Sequence, residues 1–308
     1  MNRLIGASLV LAACSSPTRE TQLERELQRT AQLARLAFDH GETSRARSQF
    51  RRVLDLAQLS DDPLAIGNAS YNLALLHAEA GDLAAAELLV KDSEAALLRA
   101  GEPLADPRLL QAKCAWLRGD AQACKRALDA ALLAPGSKPT DAHRFEAMLL
   151  QGHLAADGAD LVNAQAALES ARRIERDGRQ AAVDPGWIAL AGRIELLQGR
   201  PRAAAELFDS EAEIHKRDGN FRRMTQALVR AAEAFAVASE WSLAGDRFVR
   251  AAHTRFAAGD TDQALAFAAW AKQVAARGSD PDLVARVASL ERTLGKAAES
   301  RPADSRPR

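Results

Sequence analysis

The sequence predicts an all-α fold, an α-solenoid of about seven antiparallel helix hairpins. Three observations carry that prediction. Glycines recur at near-constant spacing: Gly41, Gly81, Gly119, Gly158 and Gly199 lie 40, 38, 39 and 41 residues apart. On both sides of each, apolar residues return at every third or fourth position, the period of a helix. The composition agrees. Alanine and leucine dominate a chain that is 47% hydrophobic and only 5% aromatic. Closely packed helices want small aliphatic side chains, where strands want aromatic and β-branched ones. No window alternates with period two, so no strand is expected.

The first element is an address. Met1-Asn2-Arg3 is a short basic start, and residues 4–13 are an uncharged, mostly apolar run of ten. That is the length of a signal-peptide core and well short of the ~20 residues a membrane-spanning helix needs. Leu11-Ala12-Ala13-Cys14, followed by Ser15-Ser16-Pro17, resembles the lipobox of bacterial lipoproteins. The resemblance implies cleavage between Ala13 and Cys14, so that residues 1–13 are a signal peptide. It also implies a diacylglycerol on the Cys14 thiol, and residues 14–21 become a lipidated tether. This covalent acyl lipid is the one non-protein group implied; no cofactor is expected. Two or more acyl chains hold a protein on a membrane stably, whereas one is marginal. Ser15 in place of an aspartate after the cysteine implies the outer membrane, with the protein facing the periplasm.

The repeats occupy residues 22–298. Asp-Pro pairs and lone prolines mark the ends of several units: Asp62-Pro63, Asp106-Pro107, Pro135, Pro139, Asp184-Pro185 and Asp280-Pro281. Proline suits the first turn of a helix and discourages helix in the residue before it. Each unit therefore reads as helix, tight turn, helix, break. Aligned on the turn glycine, the units carry small residues on the first helix (Ala34, Ala74, Ala112, Gly152, Gly192, Ala232). On the second they carry a small residue, a large one and another small one: Ala46, Phe50 and Val53; Ala204 and Phe208; Ala244, Phe248 and Ala251. Two helices approach closely only where both are thin, and the large residue fills the space beyond.

This series resembles the tetratricopeptide repeat family, closer to its variant of about 40 residues than to the 34-residue form. The resemblance implies a right-handed superhelix with the first helices lining a concave face. The C-terminal segment breaks register, because Gly259-Asp260 falls between units. Helices are expected near 241–258, 260–277 and 281–297, the last pair bearing Trp270 as a capping hairpin with a polar outer face. Residues 299–308 read as a polar, disordered tail.

Several functions are disfavoured by composition. Lys+Arg and Asp+Glu balance at 41 each, and a nucleic-acid binder usually shows a basic excess. Three cysteines and six scattered histidines offer little for a structural metal site. No phosphate loop, nucleophile elbow or HExxH is present. The chain is therefore expected not to be an enzyme.

A groove remains. The position after the small residue of each first helix holds Arg35, Leu75, Lys113, His153, Arg193 and Glu233. The expectation is a basic stripe for an acidic peptide, with Tyr71, Asn72 and Trp116 on or near the same face. Asn72 matches one position of the carboxylate clamp of some family members; the clamp's lysines and second asparagine are unmatched. Cys114 and Cys124 lie five residues before and after Gly119. They read either as a disulfide across the hairpin, which an exported location permits, or as two buried thiols. The function expected is a membrane-anchored periplasmic adaptor for envelope or periplasmic proteins. Two alternatives stand beside it, an enzyme with an active site composed across the array and a self-associating structural oligomer.

Overall fold

A computed structural model describes residues 21–39, 42–177 and 186–299. Cys14, Ala13, the tether and the polar tail beyond Glu299 lie outside these residues. The described residues form fourteen α-helices and no strand. In chain order they are α1 (Gln22–Asp39), α2 (Thr43–Leu59), α3 (Pro63–Ala80), α4 (Leu83–Ala100), α5 (Ala105–Leu117), α6 (Ala121–Leu133) and α7 (Asp141–Asp157). After these come α8 (Leu161–Asp177), α9 (Gly186–Leu197), α10 (Pro201–Arg217), α11 (Phe221–Val237), α12 (Trp241–Ala257), α13 (Thr261–Ala275) and α14 (Pro281–Glu299). Consecutive helices pack in pairs, as an α-solenoid requires. The chain divides into two compact units, one ending at Glu102 and one starting at Pro103. At the division Gly101 ends α4 with φ +73°, and Pro103 follows, a residue that discourages helix in its predecessor.

One turn recurs at most of the described junctions. A residue with positive φ is followed at once by the N-cap of the next helix. Gly81, Gly119, Gly199, Gly219 and Gly259 take the left-handed conformation. After four of them Asp82, Asp120, Asn220 and Asp260 accept a hydrogen bond from the backbone N–H three residues on. That satisfies one of the donors a helix start leaves open. The fourth turn departs from expectation. Gly158 has an ordinary φ of −81°, and Ala159 carries the positive φ, +55°; the chain turns one residue late, so that Asp160 falls on the N-cap and accepts from Asn163. Ser239 fills the same role with φ +61°. From residue 199 the turn repeats at 199, 219, 239 and 259. Gly259 is thus no break in the pattern. The same turn joins the two helices of a hairpin and joins one hairpin to the next.

The core follows the small-residue series. In the first unit Ala34, Ala46, Ala74 and Ala86 are fully buried. There Ser93 donates its hydroxyl to the Gly67 carbonyl at 2.8 Å, inside the contact between α3 and α4. In the second unit Ala112, Cys124, Ala164, Ala204, Ala232 and Ala244 are fully buried. At Gly192 a Cβ would lie 2.5 Å from the Phe208 ring, whose side chain is 1% exposed. α14 buries Leu283, Val287, Leu290 and Leu294 on one face and leaves Arg286, Ser289, Arg292 and Thr293 exposed on the others. It closes this unit as a cap. Trp270 is partly exposed and packs beside Phe248 and Phe267.

Ion pairs bridge successive second helices. Arg247 on α12 holds Asp209 on α10 through Nε and Nη2, Arg250 holds Glu213 at 2.8 Å, and Arg286 on α14 holds Asp246 on α12 at 2.7 Å. Each pair is separated by about one repeat.

The packing at Gly192 predicts that Gly192→Ala lowers stability by about 1–3 kcal/mol, the cost of forcing extra bulk into a filled core. Urea unfolding midpoints check it; an unchanged midpoint would mean that Phe208 yields.

Candidate binding groove

Of the residues picked out by sequence, Lys113, Trp116, His153 and Arg193 are brought together in the second unit. They come from α5, α7 and α9, three successive first helices. These residues line a groove of about 460 Å³ with Glu146, Leu149, Leu150, Gly186 and Ala189. The groove continues onto α10 and α11 through Glu211, His215, Arg223, Gln226 and Arg230. Arg35, Tyr71 and Asn72 belong to the first unit. Arg35 is exposed and the other two are half-buried. Asn72 donates its side-chain amide to the Asn68 carbonyl at 2.7 Å, so the one residue matching a carboxylate clamp spends a donor within its own helix.

Trp116 stacks on His153 with ring centroids 5.4 Å apart. Trp116 Nε1 donates to Asp157, and Arg193 Nη2 donates to the other oxygen of the same carboxylate. Arg193 Nη1 lies 3.3 Å from His153 Nδ1 and also reaches the His153 carbonyl. An arginine only donates, so Nδ1 is the acceptor and the imidazole is neutral. Removal from water, with the nearby Arg193 and Arg230 charges, pushes the His153 pKa down to about 3. Burial works against ionised Asp157, but the hydrogen bonds from Arg193 and Trp116 outweigh it and hold its carboxyl below the usual range.

The expected basic stripe is therefore corrected. His153 contributes no charge at neutral pH, and Arg193 is committed to Asp157. Arg230 is likewise committed, donating to buried Glu211 at 2.7 Å. Among the described residues, Lys113 and Arg223 line the groove with no carboxylate partner, and Glu146 is the one lining carboxylate without a cation. Sequence reasoning missed Asp157, Glu211, Arg223 and Arg230. Asp157, Arg223 and Arg230 lie on first helices, α7 and α11, but away from the one position compared along the series, and that position was compared for like charges. Opposite charges one repeat apart, such as Asp157 and Arg193, were a usable signal. Glu211 and Arg230 come together only through the packing of α10 on α11.

Cys114 and Cys124 are both fully buried and are not joined by a disulfide. Burial pushes the Cys124 thiol up to about 11, and Asp120 and Asp157 add to the shift, so at neutral pH it is a weak nucleophile. Of the two readings left open by sequence, the structure has the buried thiols. Among the described residues no three His, Cys, Asp or Glu side chains gather as metal ligands do. No described helix is long and apolar enough to cross a membrane.

No family model matches the chain, and no curated protein does. Solved structures are similar at low identity. One is a tetratricopeptide repeat protein from Parabacteroides merdae, 12% identical, covering 86% of this chain and 98% of that one, with a TM-score of 0.43. Another is a signal transduction ATPase with numerous domains, a protein with a tetratricopeptide repeat sensor from Pyrococcus horikoshii. It is 13% identical and covers 80% of this chain, with a TM-score of 0.41. The chain spans about two fifths of that protein, 41% of its length.

The neutral state of His153 has a pH signature. Its folded pKa of about 3 lies below the ordinary 6.5. Between those values the unfolded chain binds a proton that the folded chain refuses, so stability falls on acidification below pH 6.5. The slope for one group is at most about 1.4 kcal/mol per pH unit. Asp157, with its pKa lowered from 3.8, adds stability that is lost only at still lower pH. His153→Gln is expected to flatten the loss between about pH 6.5 and 4.5. Urea midpoints across that window check it, and an identical slope in both proteins would refute the assignment.

Proposed function

We propose that this chain is a non-catalytic docking protein that holds an acidic segment of a partner protein in the groove of its second unit. The observation that carries this reading is the pair Lys113 and Arg223. Two cations left without carboxylate partners face one groove whose other cations are neutralised. The groove also offers what a peptide site offers: apolar floor from Leu149, Leu150 and Ala189, an aromatic face at Trp116, and polar groups around them. The partner is proposed to be an envelope or periplasmic protein. Support for that location comes from the lipobox-like Leu11-Ala12-Ala13-Cys14 and from Ser15. The mature protein is proposed to hang from the outer membrane by acyl chains on Cys14.

Two experiments test the reading. Anisotropy of a fluorescein-labelled peptide alternating aspartate and glycine measures groove binding. Lys113→Glu with Arg223→Glu is expected to weaken it by at least about tenfold, ~1.4 kcal/mol, with helicity unchanged by circular dichroism. The wild-type affinity is expected to fall as salt rises, since exposed charges are screened over about 8–10 Å near physiological ionic strength. Equal affinity in the double variant would overturn the groove assignment. For the anchor, Cys14→Ser is expected to abolish incorporation of a fatty-acid analogue and leave the precursor uncleaved. Label retained by the variant would overturn lipidation.

A further inference from the structure

The groove holds one feature that charge attraction does not explain. Glu211 lies on its wall and is 4% exposed. Its Oε1 accepts from Arg230 Nη2 at 2.7 Å and lies 3.6 Å from His215 Nε2. Its Oε2 is buried without a hydrogen-bond partner, and so is Arg230 Nε. A buried acceptor and a buried donor are thus left open on two neighbouring side chains that both line the groove. Such groups are costly to leave unmade, the more so when charged. Their mutual charges already cancel, so the complement they want is neutral. One residue of an extended chain supplies both on the same side: its N–H for Glu211 Oε2, and its carbonyl oxygen for Arg230 Nε.

Open main-chain groups decide which segments qualify. In an α-helix the N–H and C=O groups are already bonded to each other. An extended segment keeps those groups open along its length.

We propose that Glu211 and Arg230 form an amide-reading site, so that the groove takes a partner segment in extended conformation with the N–H and C=O of one residue docked on this pair. The proposal rests on the docking function proposed above and adds the conformation of the ligand and the residues that select it. Less than 1 Å² of each open atom is accessible, so the amide reaches them by moving Arg230, whose side chain is 35% exposed.

The test uses the full chain and four labelled peptides: the aspartate–glycine peptide, its uncharged serine–glycine counterpart, the aspartate–glycine peptide with N-methylated amides, and a stapled helical acidic peptide. The aspartate–glycine peptide is expected to bind at least about tenfold tighter than the methylated and helical ones, ~1.4 kcal/mol. Glu211→Gln, which puts an NH₂ where the open acceptor stood, is expected to remove that preference. Thermal melts check its folding, and the methylation contrast on wild-type protein stands even where the variant does not fold. If methylated, helical and extended acidic peptides bind alike, the amide site is overturned and acidic docking survives. If serine–glycine binds as well as aspartate–glycine and both need Glu211, the amide site stands and the acidic reading falls. Binding by none of the extended peptides overturns the proposal.

Discussion

The architecture depends on one steric constraint: two helices come close only where their facing residues are small. Alanine or glycine stands at that position in unit after unit, and a Cβ added at Gly152 would lie 2.4 Å from Leu190. The same constraint forces the large residues into register. Phe208 fills the space that Gly192 leaves, and α12 places Phe248 at the corresponding position. Thin helices also explain the composition, since a chain that closes most of its interfaces with Ala has little use for aromatics. Turns matter less than contacts. Ala159 and Ser239 take a left-handed conformation that glycine adopts more easily, and the hairpins they join are formed regardless.

Polar contacts follow the repeat as closely as apolar ones. Asp157 and Arg193, Asp106 and His143, Asp209 and Arg247, and Asp246 and Arg286 are each joined across about one repeat length. Surface pairs of this kind contribute little singly, about 0–1 kcal/mol. Their effect is on alignment: a hairpin that slid along its neighbour would separate several pairs together.

Much of the fold was legible because its determinants are local. The turn residue, the cap that follows it and the helical period all lie within a few positions of each other. The burial of Ala46, Phe50, Ala204 and Phe208 followed from that pattern alone. The division at Glu102 and the late turn at Ala159 were not legible, since both depend on how neighbouring helices settle. In the groove, the sequence located Lys113, Trp116, His153 and Arg193 by position on the first helices. It could not show that Arg193 would be spent on Asp157 or His153 left uncharged, because both outcomes depend on distances across hairpins. Glu211 looked like any surface acid on α10 until α11 covered it.

The cluster of Trp116, His153, Asp157 and Arg193 ties α5, α7 and α9 with directional bonds. A solenoid flexes by small changes in the angle between successive hairpins, and here such a change would tilt a stacked ring pair and stretch a shared carboxylate at once. The curvature of this stretch is set by bond geometry as well as by side-chain bulk, which makes it the stiff section of a spring. For the proposed ligand this part of the groove is already ordered and Arg230 is the side chain that has to move, so less of the binding energy is lost to ordering the receptor.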